Sequence, residues 1–367
     1  TVDFVSNTDI SPPCDVTNSG NPALDCQNNP VGAVEEYVYA SAPIALPGVP
    51  PVGGWFFTWD SCCRNGAISN LVLSSPTSPS EGFTLRASMF PYLDNLGNVV
   101  PADPCFDSSP IFNESPKTII CTGYPFAYSH NASDDELDEI FYQWDEPLDD
   151  FFGVFNPPTN PTALPFIAPY SFDNPLPGGV TLDTVTGEIA YNSTTSGNFV
   201  TVVRIDAYKC GQLVAQIFRE IQAVLIACPT LSGGTNNIPP TITPPFTDPL
   251  TGLPSYSTTV AAGGVINFQI HSEDFDVYPN GEPQDISLEI TGGQMAGDFI
   301  TVTDCANPPC ATFDNGAGLT PPFSNPTFVD GFFNWQTACS HVTANAGCGN
   351  TSNLYTFAIK AYDDFCP

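Results

Sequence analysis

The sequence predicts an all-β protein built from tandem β-sandwich modules. Three observations lead to this reading. The 39 prolines and 29 glycines interrupt almost every window that could otherwise hold a helix. The apolar stretches are short, β-branched and aromatic, and they alternate with polar residues instead of recurring every 3.6 residues, as at 198–206, 217–227 and 354–362. Turn signals separate them. With 42% hydrophobic and 12% aromatic residues, the chain can bury real cores, and its 367 residues suit two or three domains.

Residues 1–117 read as an N-terminal β-rich module, 118–229 as a second β-sandwich module and 238–367 as a third. The clearest boundary is the Gly/Ser/Asn-rich stretch 229–240, which ends in paired prolines that cannot join a central strand. A weaker one falls at 113–117, before a new strand pattern opens at 118–121. Within the second module, 208–212 is a hairpin turn in which Gly211 supplies a positive φ, and 183–188 is another turn between the strand-like stretches 179–182 and 189–191. A faint repeat supports the modular reading. The stretch 123–128 leads into acidic residues 134–139 and then 140–144, just as 264–270 leads into 273–276 and then 286–290.

Charge narrows the function classes. Thirty-nine acidic residues against seven basic ones give a formal charge of −32, which repels nucleic acid and anionic membrane surfaces and leaves carboxylates in need of counter-ions. Calcium is the expected cation, because it takes six to eight oxygen ligands of the kind that acidic loops supply. Asp134, Asp135, Glu136 and Asp138 form one candidate set, and Glu273, Asp274 and Asp276 a second. Neither matches the stricter D-x-D-x-D-G loop, and a solvated acidic face is the alternative reading.

The 13 cysteines include no C-x2-C pair, and with only His130, His271 and His341 they fit no zinc or iron–sulfur spacing. Disulfides in an oxidising compartment are expected, hence export. Cys14, Cys26, Cys62, Cys63 and Cys105 are available within the first module. Cys121 and Cys228 stand at the two ends of the second. Cys305 and Cys310 flank a short loop, while Cys339, Cys348 and Cys366 compete for one bond. No apolar run approaches the ~20 residues of a membrane-spanning helix, and residues 1–5 lack the features of a signal peptide. The expectation is a mature exported segment whose anchor lies beyond Pro367 or on another molecule.

Chemistry is not expected. No G-x-S-x-G or similar signature surrounds any serine, and so many carboxylates guarantee coincidental acid pairs. Acidic surroundings also disfavour a reactive thiolate. Trp55, Trp59, Trp144 and Trp335 lie on strand-like stretches where burial is the usual fate, although an exposed indole could stack on a sugar.

Three segments carry a resemblance: 54–71, with adjacent Cys62 and Cys63 followed by Arg64 and Asn65; 174–188; and 202–212. Together they resemble the giant cell-surface proteins of Bacteroidetes, the gliding-motility adhesins and their relatives exported by type IX secretion. The resemblance spans about residues 36–242, and 238–367 is similar to the modules that follow in such proteins. It implies tandem immunoglobulin-like or cadherin-like modules, an extracellular cell-surface location, and partners among type IX secretion and outer-membrane gliding components. It also implies a calcium ion bridging an acidic loop and the linker near Asn236 and Asn237, and an O-glycosylation site at Thr184 within 183–185. The family's C-terminal sorting domain is not in this stretch, which reads as an N-terminal portion of a longer chain or as a short member.

The function expected is therefore that of a non-enzymatic adhesin or filament segment contacting a substratum, a surface polysaccharide or a second copy, with no nucleic acid bound and no direct membrane insertion. A carbohydrate-binding or accessory region of a secreted polysaccharide-processing enzyme is the alternative.

Overall fold

The computed structural model describes residues 2–366 apart from 12, 30–32, 103–105, 117–118, 152–160, 228–236, 344–347 and 349–350. Strands account for 43% of the chain and helix for 2%, so the all-β class holds. The contacts divide the chain into two units, one of residues 1–42, 228–344 and 350–367, the other of 43–227 with 345–349.

The first unit opens with β1 (Asp3–Asp9) and β2 (Glu35–Ala40), an antiparallel ribbon exposed along its whole length. Between them lies one helical turn, α1 (Val16–Ser19). The Asp15 carboxylate caps its start by accepting the Thr17 and Asn18 N–H groups, and Gly20 ends it at φ 74°. This segment is tied to the far end of the chain by a Cys14–Cys366 disulfide, by the Asp15 N–H donating to the Asp364 carbonyl (2.7 Å), and by Asn21 Nδ2 donating to the Cys366 carbonyl (3.1 Å).

The second unit is built on a large sheet. Its strands are β3 (Trp55–Ser61), β4 (Phe83–Met89), β5 (Ile111–Phe112), β6 (Ile119–Cys121), β7 (Phe126–Ser129), β8 (Ala132–Ser133), β9 (Glu139–Trp144), β10 (Leu148–Asp149), β11 (Thr162–Ala163), β12 (Val180–Leu182), β13 (Glu188–Tyr191), β14 (Gly197–Lys209) and β15 (Gln212–Ile226). The large sheet runs β11-β10-β4-β15-β14-β9, with β3 on β4 and β6 parallel to β15; β12-β13-β7 form a smaller sheet, and β5 pairs with β8. The β14–β15 hairpin turns at Cys210 (φ 50°) and Gly211 (φ 76°), two successive positive values that suit the twist of the strands it joins. Residues of both sheets share one core: Tyr142, Val203, Ile205 and Leu225 from the large sheet, Ile189 and Tyr191 from the small one. The 183–187 turn forms as the sequence indicates, with Asp183 Oδ1 accepting the Val185 and Thr186 N–H groups (both 2.8 Å).

The rest of the first unit comprises β16 (Thr241–Thr243), β17 (Phe246–Thr247), β18 (Pro254–Ser255), β19 (Val265–Glu273), β20 (Asp285–Thr291), β21 (Thr312–Asp314), β22 (Phe323–Pro326), β23 (Phe328–Gln336), the helical turn α2 (Ser340–Thr343) and β24 (Ala358–Asp363). One sheet runs β16-β19-β23-β21, another β22-β20-β24, and β17 pairs with β18. In β20, Ile286, Leu288 and Ile290 are buried and the residues between them are not. In β23, Val329, Phe333 and Trp335 alternate in the same way, and all six join one core with Ile270 and Phe313. That period of two is what a half-buried strand requires.

The boundary expected at 117/118 is not one. β15 is 15 residues long, and its edge is covered by β4 at Ala215–Ile217 and by β6 at Val224–Ile226, so strands from both sides of residue 117 complete one sheet. The stretch 1–42 likewise belongs with 238–343 and not with 43–116. Both corrections come from pairings between residues far apart in sequence, which no local signal carries.

Candidate cation site

Of the seven basic residues, all but Lys117, which lies outside the described residues, are engaged inside the fold. Arg64 is 5% exposed; its guanidinium grips both oxygens of Glu220 and donates to the Gly82 and Leu148 carbonyls. Arg86 lies between the rings of Phe56 and Phe218. Arg204 bonds Asp145 and Asp206. Arg219 sits 3.8 Å over the Phe112 ring and donates to the Glu114 carbonyl. Lys360 pairs with Glu289 at 2.8 Å. Lys209 occupies an acidic nest described next. The described cations therefore leave the solvent-facing charge to the carboxylates.

Among the described residues, the 134–138 carboxylates do not gather as a metal-holding group. Asp134 folds its own loop, its Oδ1 accepting the N–H groups of Glu136 (3.0 Å) and Asp138 (3.1 Å). Glu136 accepts the Ser108 hydroxyl (2.6 Å), and Asp135 is exposed. Asp138 holds Lys209 Nζ with both oxygens (3.0 and 2.8 Å), and Asp107 lies 3.3 Å from the same ammonium. Burial works against the charge of Lys209, but Asp138 and Asp107 outweigh it and raise its pKa. Burial, and then neighbouring Asp138, lifts the Asp107 carboxyl well above the usual carboxylate range, and burial lifts Asp134 to about 7. Lys209 thus already neutralises Asp138, while Asp134 Oδ2 is buried with no partner among the described residues.

The second cluster behaves differently. Glu273 is drawn off to the face of β19 that carries His271, whose Nε2 is 3.7 Å away while its Nδ1 meets Asp330 at 2.7 Å. Asp274, just past the strand, faces the other way. It is 8% exposed; its Oδ1 accepts the Asp276 N–H (2.8 Å), and its buried Oδ2 has no donor among the described residues. Asp276 Oδ2 accepts the Ile238 N–H (2.7 Å). Asn237 Nδ2 donates to Asp363 Oδ2 (3.0 Å), and Asn237 Oδ1 accepts from Gln284 Nε2 (2.8 Å). Gln284 is 1% exposed, and its Oε1 is a second buried acceptor without a donor. Burial raises the pKa of Asp274 and lifts Asp363 to about 6, with the Asp274 charge among the further contributors at Asp363.

Among the described residues no three His, Cys, Asp or Glu side chains gather closely enough to hold a metal by themselves. Pairwise hydrogen bonds link Asn237 to Asp363 and to Gln284, Asp276 to the Ile238 N–H, and Asp274 to the Asp276 N–H, so these oxygen-bearing side chains lie in one region of the first unit. Two buried acceptors without a donor among the described residues are an unfavourable arrangement, each costing about 1–3 kcal/mol. Oxygen donors of this kind are those that calcium takes. Of the sequence-derived set, Asp274 and Asp276 lie in this region, while Glu273 lies beside His271. Asn237 enters from the linker as expected, while Asn236 lies outside the described residues. Asp363 and Gln284 were missed because one lies 87 residues beyond Asp276 and the other is an uncharged residue with no motif around it.

His130 is fully buried and neutral, its pKa lowered to about 3 by burial. His341 takes the Ala338 N–H on Nδ1 (3.0 Å), so Nε2 carries the proton and donates to the Asn307 carbonyl (2.8 Å).

The disulfides found are Cys14–Cys366, Cys62–Cys63, Cys210–Cys348 and Cys305–Cys310. Cys121 is also disulfide-bonded, whereas Cys105 and Cys228 lie outside the described residues. Cys348 and Cys366 thus do not compete for one bond: each takes a partner from another part of the chain. Cys339 is exposed. Cys26 keeps its thiol, which burial and then Asp9 hold protonated. Thr184 is exposed on the 183–187 turn.

No protein-family model matches the chain, and no curated protein matches it. No helix among the described residues is long and apolar enough to cross a membrane.

Proposed function

We propose that this chain is a non-catalytic segment of an extracellular cell-surface adhesin or filament, with immunoglobulin-like or cadherin-like modules and calcium at the Asp274 site. The observation that carries the reading is the division of charge. The described cations are consumed by internal contacts, so the outer surface is left anionic, and the chain is closed by disulfides that a reducing compartment would not preserve. An anionic, cross-linked β protein is suited to extending from a cell and contacting a substratum or polysaccharide. In a gliding-type adhesin, type IX secretion and outer-membrane gliding components are its partners. Calcium held by Asp274, Asp276, Asp363, Asn237 and Gln284 supplies positive charge that fixes the start of the first unit's main body, at Asn237 and Ile238, to its last strand.

The test is attachment. Beads coated with the non-reduced chain are expected to hold to glass or to a neutral polysaccharide gel in calcium buffer and to release in a chelator. Attachment no better than that of an unrelated acidic β protein would overturn the reading. A second reading, a carbohydrate-binding accessory region, is favoured by a groove in the second unit.

A further inference from the structure

β9 is an edge strand of the large sheet, paired on one side only with β14. Along its open side runs a groove of about 460 Å³, a size that suits a small ligand. Rings come to it from both faces of the sheet. Trp144, which packs partly on the core beside Tyr142, lies on one face; Phe141 and Tyr208, in edge-on contact at 5.7 Å, lie on the other. Phe172, 43% exposed, closes the rim from the 171–174 turn. Three polar side chains besides the tyrosine hydroxyls stand among these rings, and one of them, Gln143, is already bonded to Asp206 and Arg204. Asp173 accepts the Ser171 hydroxyl on Oδ1 (2.6 Å), and Thr184 lines the groove with its hydroxyl unbonded among the described residues.

We infer that this groove binds an uncharged pyranose oligosaccharide. A pyranose presents an apolar C–H face, which aromatic rings cover, and a rim of hydroxyls, which a carboxylate and a hydroxyl can bond. Charge selects within that class. Of the side chains that line the groove, the one charged at neutral pH is Asp173, on a chain of formal charge −32, so a uronate or sulfated polymer is repelled and a neutral one is not. An added peptide strand is the other occupant an open edge invites, but the edge is interrupted. The Tyr142 N–H, midway along β9, already donates to the Thr184 carbonyl (2.8 Å), so a continuous ladder cannot run past it. The inference deepens the attachment reading and rests on it, naming the sugar-contacting surface.

The test is calorimetric titration of the full, non-reduced chain with cellohexaose, laminarihexaose, chitohexaose and mannohexaose, with oligogalacturonate as the anionic control. At least one neutral probe is expected to bind with a Kd near the millimolar range or tighter, and the control is not. Phe172→Ala and Asp173→Ala change exposed residues, so folding is preserved; each is expected to weaken binding about tenfold, equivalent to ~1.4 kcal/mol. Three results overturn the inference: no neutral probe binds; both variants bind as the parent does; or an extended (Thr-Val)5 peptide binds while the sugars do not. The bead assay separates the two readings. If Phe172→Ala beads attach to the gel as well as the parent, the groove is wrong and attachment stands; if parent beads never attach, attachment itself has failed.

Discussion

Arg64 shows most directly how one side chain can hold several segments together. Its guanidinium reaches Glu220 on β15 and the Gly82 and Leu148 carbonyls, and it is almost fully buried. Removing one partner of such a pair strands the other charge, so Arg64→Ala is expected to lower unfolding free energy by about 3–5 kcal/mol in denaturant titration, whereas replacing both Arg64 and Glu220 by apolar residues loses much less. The acids make a second, signed prediction. Burial lifts Asp363 to about 6 and Asp134 to about 7 from an ordinary 3.8, so the folded chain keeps protons that the unfolded chain has released. Their stabilisation is complete below the ordinary value and disappears as pH rises through the raised ones. In chelator, Tm is therefore expected to fall from about pH 4 to about pH 7 on their account, and Asp363→Asn to remove part of that slope. The importance of Arg64 was legible in the sequence only as an unusual Cys-Cys-Arg-Asn run. Its partner Glu220 lies 156 residues away, and nothing local marks it.

At the scale of elements, turns and strands were the most legible features, because their causes are local. Gly211 and the 183–187 turn fall where the residue types place them, and the alternation of 286–290 becomes the buried face of β20. Gly187 adds a constraint the turn alone does not reveal. It has φ 69°, and a Cβ there would run into the Tyr142 ring. Gly187→Ala is expected to cost about 1–3 kcal/mol, read by thermal or chemical melting, from overpacking and the left-handed backbone together. Strand partners were not legible. The pairing of β4 and β6 along different stretches of β15 joins spans that composition had separated. The proposed cation site follows the same rule: Asp274, Asp276 and the linker could be read, while Asp363 and Gln284 arrive by folding.

Over the whole molecule, covalent and electrostatic devices complement a Pro-rich chain. The Cys14–Cys366 bond closes nearly the full sequence length, tying the segment that carries β1 and β2 to residues beside Asp363 and Asp364. Cys14→Ser is expected to destabilise the first unit by about 2–5 kcal/mol and to expose the 1–42 segment to limited proteolysis. The charge distribution carries the central claim, because an acidic surface with its described cations turned inward gains from calcium bound at a mixed oxygen site. Native mass spectrometry of the non-reduced chain, with and without chelator, tests this most directly. The account predicts one tightly held calcium that is lost in chelator and lost again in Asp274→Asn with Asp363→Asn. A chain that stays metal-free in millimolar calcium, or a calcium that the double variant retains, would contradict it.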